Sequence, residues 1–157
     1  MSYILTDGPN IKVYPYNIGL LRRDNPNVSF PASPTDAQLA EWMVFPVADS
    51  AEPTYDPLTQ RVVEGQPARS GDAWTQTWVV EQLSAAEAAQ AKADALENLR
   101  NERTKRLAES DWTQMADAPL TEPQRKAYAA YRQQLRDLPE NTEDLLNPIW
   151  PAEPKVQ

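Results

Sequence analysis

Proline is spread unevenly along this chain, and that unevenness limits what each part can become. Nine of the 15 prolines lie before Gln82, and none falls between Ser84 and Ser110. Proline lacks the N–H that a helix interior or a central strand must donate, so the front of the chain is confined to short, interrupted elements. The alanine-rich stretch that follows is free to run as one long helix. The boundary falls near Leu83. The pattern predicts a small proline-rich antiparallel β head over residues 1–83, a helical region over 84–139, and an extended proline-containing tail over 140–157. The fold class is α+β, with one short helix in the head and the later helices folded as a hairpin.

In the head, short apolar runs alternate with turn residues. Ile11-Lys12-Val13-Tyr14, Arg61-Val62-Val63 and Thr77-Trp78-Val79-Val80 read as strands. Asp56-Pro57-Leu58-Thr59-Gln60 is a turn into the Arg61 strand, and Ser70-Gly71-Asp72 a turn into a Trp74 strand, which together predict an antiparallel meander. One helix interrupts it, with Ser33 as cap, Pro34 in the first helical position and Asp36 in the first turn. Met43-Val44-Phe45-Pro46-Val47 then returns to strand. A head of this size and proline content buries little surface and is marginal on its own.

Ser84 and Glu87 form a capping box ahead of a helix that runs to Ser110. At 1.5 Å per residue it would be roughly 40 Å long, and part of it should project. Its apolar face, Ala89, Ala93, Leu96, Leu99 and Leu107, is thin and is interrupted by Arg103, too weak a heptad pattern for a self-paired coiled coil. Five charges of each sign, with pairs such as Glu102 and Arg106, indicate a solvated opposite face. Thr121 and Gln124 form a second capping box, before a helix over 121–138 that carries Tyr128, Tyr131, Leu135 and Leu138 on one face and ends at Pro139. The linker from Asp111 to Leu120 is short enough for an antiparallel hairpin, whose open end Trp112 would plug.

Composition removes whole classes of function. The chain has no cysteine and no histidine, so the thiolate and imidazole ligands of zinc, copper and iron–sulfur sites are missing, and with them thiol catalysis and the usual general base. Four glycines, at positions 8, 19, 65 and 71, form no phosphate-binding loop or nucleophile elbow. Asp111 with Asp117, or Glu143 with Asp144, could be imagined as acid–base pairs or a hard-cation site, but they lack the ligand density of a calcium loop and read as solvated loop charges. No enzyme, cofactor or metal site is expected. A formal charge of −8 provides no basic stripe for nucleic acid. No apolar run approaches the roughly 20 residues that span a bilayer, and the first residues lack the basic and apolar regions of a signal peptide, so a membrane is not an expected partner either.

What remains is protein–protein contact, and the aromatic residues are its candidates. Trp74 and Trp78 stand an even step apart, so in one strand they share a face that covers the core or presents a recognition surface. Trp150, between Pro148 and Pro151, either docks on the chain's own helices or anchors a partner. Trp112, Tyr128 and Tyr131 complete the set of candidate partner-binding residues.

The segment Arg103-Thr104-Lys105-Arg106-Leu107-Ala108-Glu109-Ser110-Asp111-Trp112-Thr113-Gln114 is followed by Asp117-Ala118-Pro119-Leu120-Thr121 and then by Tyr131-Arg132-Gln133-Gln134-Leu135-Arg136-Asp137-Leu138-Pro139. With Asn147-Pro148-Ile149-Trp150-Pro151 after them, these motifs resemble the C-terminal module of phage tail assembly chaperone and tail fibre assembly-like proteins. The head is similar, less specifically, to the β-rich heads joined to that module, in Tyr14-Pro15-Tyr16 and in Leu21 to Pro31. The resemblance implies no catalytic residue. It implies an assembly factor acting in the host cytoplasm on a phage tail fibre or other tail protein, the alternative being a permanent structural subunit of the tail fibre or baseplate in the virion. The motif residues are also those assigned to the hairpin turn and its cap, a structural requirement before a functional one.

Overall fold

The computed structural model describes residues 2–71 and 73–155 and is α+β. Its chain forms two compact units, one running to Asp56 and resuming over Gln60–Gln82, the other made of Pro57–Thr59 and the chain from Leu83 onward.

The first unit opens with strands β1 (Ser2–Asp7) and β2 (Asn10–Tyr16), joined by a two-residue loop. Gly8 takes φ +61 at the first loop position, where a primed hairpin turn needs the left-handed backbone that glycine supplies. Helix α1 (Ile18–Asp24) follows, capped by the Asn17 side chain accepting from the Leu20 N–H at 2.9 Å. Then come α2 (Asp36–Ala40), β3 (Val44–Ala48), β4 (Gln60–Glu64), β5 (Ala68–Ser70), β6 (Ala73–Thr75) and β7 (Trp78–Gln82). Five strands make one sheet in the order β2-β1-β3-β6-β5, and β4 pairs with β7 as a separate antiparallel ribbon.

This sheet is not the expected meander. β3 and β6 pair in parallel, with Val47 beside Trp74, because the long excursion through β4 brings the chain back to the sheet in the same direction. Two helices interrupt the strands rather than one. The cap of α2 is Thr35 rather than Ser33, since Thr35 and Gln38 satisfy each other's backbone N–H groups while Asp36, three after Ser33, is one methylene short for that reach. Met43 is not strand either: it holds φ 57, and its carbonyl accepts from the Thr6 N–H at 2.9 Å. Of the proposed Ser70-Gly71-Asp72 turn, Gly71 has φ +61 and Ser70 pairs with Ala73, while Asp72 lies outside the described residues.

Apolar residues cover both faces of this sheet. Tyr16, Leu21, Leu39 and Val44 are buried on the side of the two helices, with Phe30 and Trp42 packed edge-to-face at 5.2 Å among them. Ile4, Val47 and Trp74 are buried on the other, against Ile11, Tyr14 and Phe45. Pro15 is tolerated because β2 is an edge strand, where no neighbour needs its missing N–H.

The second unit holds α3 (Ala85–Glu109), a 3₁₀ turn (Asp111–Gln114) and α4 (Glu122–Asn141). The Ser84 capping box is present, the Ser84 N–H donating to Glu87 at 2.8 Å and the Glu87 N–H to Ser84 Oγ at 3.3 Å. The buried face of α3 follows the expected one through Leu99, which is buried, and Leu96 and Leu107, which are half-buried, but departs from it nearer the start, where Ala89 and Ala93 are exposed and Ala95 is buried instead. With so thin an apolar stripe, the residues that pack against the helix decide which face is covered. α4 passes through Pro139 instead of ending there and is closed by the Thr142 N–H donating to the Leu138 carbonyl at 3.0 Å. So close to the helix end, the ring's fixed φ fits, and one hydrogen bond is lost. Beyond Thr142 the tail has no regular element; Val156 and Gln157 lie outside the described residues.

Candidate partner-binding surface

The joint between α3 and α4 is built around Arg132. Its guanidinium donates through Nη1 to the Leu107 carbonyl at 2.6 Å and to Ser110 Oγ at 2.8 Å, and through Nη2 to Asp111 Oδ1 at 2.7 Å. These bonds satisfy a carbonyl in the last turn of α3, where a positive charge also complements the helix dipole. Arg132 is 7% exposed and Ser110 fully buried, so this is interior chemistry. Ser110 Oγ also lies 3.0 Å from the Leu107 carbonyl, and Thr113 Oγ1 donates to the Ser110 carbonyl at 2.7 Å. Arg125 ties down the next stretch through the carbonyls of Met115, Ala116 and Ala118. The Ser110-Asp111-Trp112-Thr113-Gln114 motif is thus largely the scaffold of the joint. Arg132 was legible in the sequence as a charge inside an apolar stripe, between Tyr131 and Leu135, and that signal went unused.

Around this joint pack Ala118, Leu120, Tyr128, Tyr131 and Leu135, with Leu107 and Trp150 at the edge. The rings of Tyr128 and Tyr131 meet edge-on at 6.5 Å, and Trp112 meets Tyr128 at 5.9 Å. Burial, then the nearby charge of Glu153, pushes the Tyr128 hydroxyl above its ordinary pKa, and the hydroxyl donates to the Pro154 carbonyl at 2.8 Å.

The six aromatic candidates therefore differ in what they present. Trp74, Tyr128 and Tyr131 are buried in the cores of their own units. Trp78 is half-buried, its indole N–H donating to the Ser50 carbonyl at 3.1 Å. It does not share a strand face with Trp74: β6 ends at Thr75 and β7 starts at Trp78 in the other sheet, because Gln76 and Thr77 turn away to bond Ser50, Glu64 and Gln66. Trp150 docks on its own helices, with the Arg106 guanidinium 4.4 Å from its ring centre. Trp112 is 39% exposed. Sequence reading passed over the more exposed apolar side chains of this unit, Met115, Leu146 and Ile149, the last of them 89% exposed between two half-buried neighbours. In the tail's alternation of inward and outward residues, Ile149 was the outward position.

Of the acidic residues Asp111, Asp117, Glu143 and Asp144, the first and the last have structural duties. Asp111 pairs with Arg132, and Asp144 accepts from the N–H groups of Leu146 and Asn147, at 2.9 and 3.0 Å, in a turn that opens the tail. Those bonds, with the Asn147 side chain first among them, hold its pKa below the usual carboxylate range. Among the described residues, no cluster of three or more acidic residues is arranged to hold a metal ion, and no helix is long and apolar enough to cross a membrane.

Residues 96–155 match the family model of the phage tail assembly chaperone protein. The likeness seen in the sequence holds over that span, which takes in the end of α3, the joint, α4 and the tail, and leaves the head outside. No curated protein and no solved structure matches the chain.

Proposed function

We propose that this chain, which carries a phage tail assembly chaperone module over residues 96–155, binds a tail or tail fibre protein in the host cytoplasm and shields it until it is built into the particle. The family match carries the reading. The surface of the second unit supports it: Trp112, Met115 and Ile149 offer apolar area on a frame held by Arg132 and the two helices. The action is by contact, without chemistry. Of the six aromatic candidates, Trp112 is the one assigned to direct contact. Tyr128 and Tyr131 act beneath it by fixing its position, and the head's Trp74 and Trp78 serve their own unit.

The test is to recover a tagged copy from phage-infected cells, identify the phage proteins bound to it, and analyse purified virions from the same culture. The expected result is a tail or fibre protein captured from the lysate and no copy of this chain in the virion. A fixed copy number in the virion would replace the chaperone with a permanent subunit of the fibre or baseplate. No captured tail protein would remove the reading. In the captured complex, Trp112→Ala should weaken association by about 2 kcal/mol, roughly thirtyfold, as truncating an interface anchor does.

A further inference from the structure

The C-terminal end of α4 departs from the pattern of α1 and α3. α1 carries Arg22 and Arg23 in its last turn and α3 carries Arg106, each complementing the negative pole of its helix, whereas α4 has no basic residue there. Asp137, Glu140, Glu143 and Asp144 crowd this end instead, and no lysine or arginine stands between Asp137 and Asn147. Among the described residues none of these carboxylates has an ion pair. Negative charges gathered at a negative pole oppose folding, so the chain by itself gains no stability from them.

The same end holds an open cavity of about 480 Å³. Leu138 and Ile149 form its apolar wall, Glu143 and Asp144 supply its charges, and Asn141 and Asn147 contribute side-chain amides. No basic residue lines it. Its parts are fixed in place before anything binds. Asp144 accepts from the Leu146 and Asn147 N–H groups and from the Asn147 side-chain amide, at 2.9, 3.0 and 3.1 Å. Ile149 is 89% exposed while Pro148 and Trp150 on either side are half-buried, so the seated tail holds it outward. An arginine or lysine side chain matches this combination, its methylene stem lying along the apolar wall and its charged head meeting the carboxylates and amide oxygens. A carboxylate would be repelled, and a wholly apolar side chain would strip water from Glu143 and Asp144 without replacing it.

We infer that this cavity receives a basic side chain of the client, an arginine or lysine set in an otherwise apolar segment whose neighbouring residues cover Ile149. The inference rests on the chaperone reading and adds the chemistry of the partner. The client's cation supplies the positive charge that the end of α4 lacks, so the strain of its gathered carboxylates is relieved only in the complex.

The test uses the full-length chain and a short fluorescein-labelled peptide of alternating leucine and arginine, with a neutral twin in which citrulline replaces arginine. The arginine peptide should bind at least about tenfold more tightly than its twin, as hydrogen bonds between charged groups require. Ile149→Ser removes the exposed part of the apolar wall and should weaken binding of the arginine peptide by about tenfold. Glu143→Gln should weaken it by about threefold, within the range of an exposed ion pair. Both side chains are exposed, so helical circular dichroism of both variants should overlay the wild type. Glu97→Gln, at an exposed acidic residue of α3 outside the cavity, should leave the affinity unchanged. Equal binding of the two peptides, no binding of either, or a loss at Glu97→Gln as large as that at Glu143→Gln would overturn the proposal, the last by reducing the effect to the net charge of −8. A doubled mass by light scattering that Ile149→Ser returns to a single mass would assign the patch to a second copy and overturn the client assignment. No phage protein is needed, so the two readings fail separately. A tail protein that co-purifies while the peptide does not bind places the client contact elsewhere on the chain. Peptide binding without a captured tail protein keeps the cavity's cation and removes the client.

Discussion

Removing the Arg132 side chain would take one donor from the Leu107 carbonyl, which keeps the Ser110 N–H and hydroxyl, would take the guanidinium from the buried Ser110 Oγ, and would leave Asp111 without its ion pair. The last loss is small, because Asp111 is 66% exposed and water screens it. The first two are not screened. Arg132→Met is therefore expected to destabilise the second unit by about 3 kcal/mol in urea unfolding, and Arg132→Lys by about 2, since one ammonium cannot span acceptors that a planar fork reaches together. If both variants unfold at the wild-type midpoint, the joint is held by apolar packing alone. In the first unit, Met43 sits in the left-handed region, where a side chain branched at Cβ is most strained. Met43→Val should cost about 1–2 kcal/mol and Met43→Gly close to nothing, because relief of strain offsets glycine's greater chain entropy. Nothing in Trp42-Met43-Val44 announces that conformation. It is imposed by α2 ending against a strand that must start at once, a tertiary requirement that local propensity cannot carry.

Among the elements, the helices were the most legible, for a physical reason. Ser84 and Glu87, and Thr121 and Gln124, mark their starts by side-chain chemistry that acts within one turn, so a reading of neighbouring residues finds them. Their ends are set by competing contacts, which is why α4 runs on past Pro139. There Pro139 deprives the Leu135 carbonyl of its helical donor, and Pro139→Ala should restore it and raise stability by about 1 kcal/mol or more, visible as a later thermal midpoint. Strand pairing was far less legible. β2, β3, β4, β6 and β7 are recognisable from their β-branched and aromatic residues, whereas β5, Ala68-Arg69-Ser70, carries none; the parallel contact of β3 with β6 depends on where a chain returns after a long excursion, and no local residue encodes that. β1 was missed although Asp7-Gly8 gave a hairpin signal, because its run of apolar residues was read only for what it said about targeting. The site divides in the same manner. The motif residues at the joint could be read from their spacing, whereas the seating of Trp150 under Arg106 and the outward turn of Ile149 arise from the tail folding back, which no periodicity in a proline-interrupted segment records.

Across the whole molecule, the perturbed groups define a pH window. The hydroxyls of Tyr14 and Tyr16 are both pushed up to about 12, by burial first and then by the carboxylates they bond, Glu64 and Asp24. A tyrosine whose folded pKa exceeds its unfolded value favours folding fully below pH 10 and loses that contribution as pH climbs toward 12. Glu64 is held below the usual carboxylate range by the Tyr14 hydroxyl and then the Gln76 amide, and Asp144 by Asn147 and its neighbours. Each favours folding above its unfolded pKa, a contribution that fades as pH falls through the depressed folded value. Melting temperature should therefore be flat from about pH 6 to 9, the interval between the carboxylate and tyrosine ranges, and fall on both sides. The alkaline limb belongs chiefly to the head, where Tyr14 and Tyr16 sit on edge strand β2 and its neighbours. Tyr14→Phe separates the causes. It removes a titrating group from the alkaline limb and the main donor to Glu64 from the acid one, so the variant, less stable near neutral pH, should lose less of its stability than the wild type both above pH 10 and on the acid side. Absorbance of tyrosinate, followed in the same titration, should show one fewer late-ionising ring. A variant whose two limbs both overlay the wild type would mean that Tyr14 and Glu64 do not share a proton-linked bond, and the stability of the head against pH would have to be assigned elsewhere.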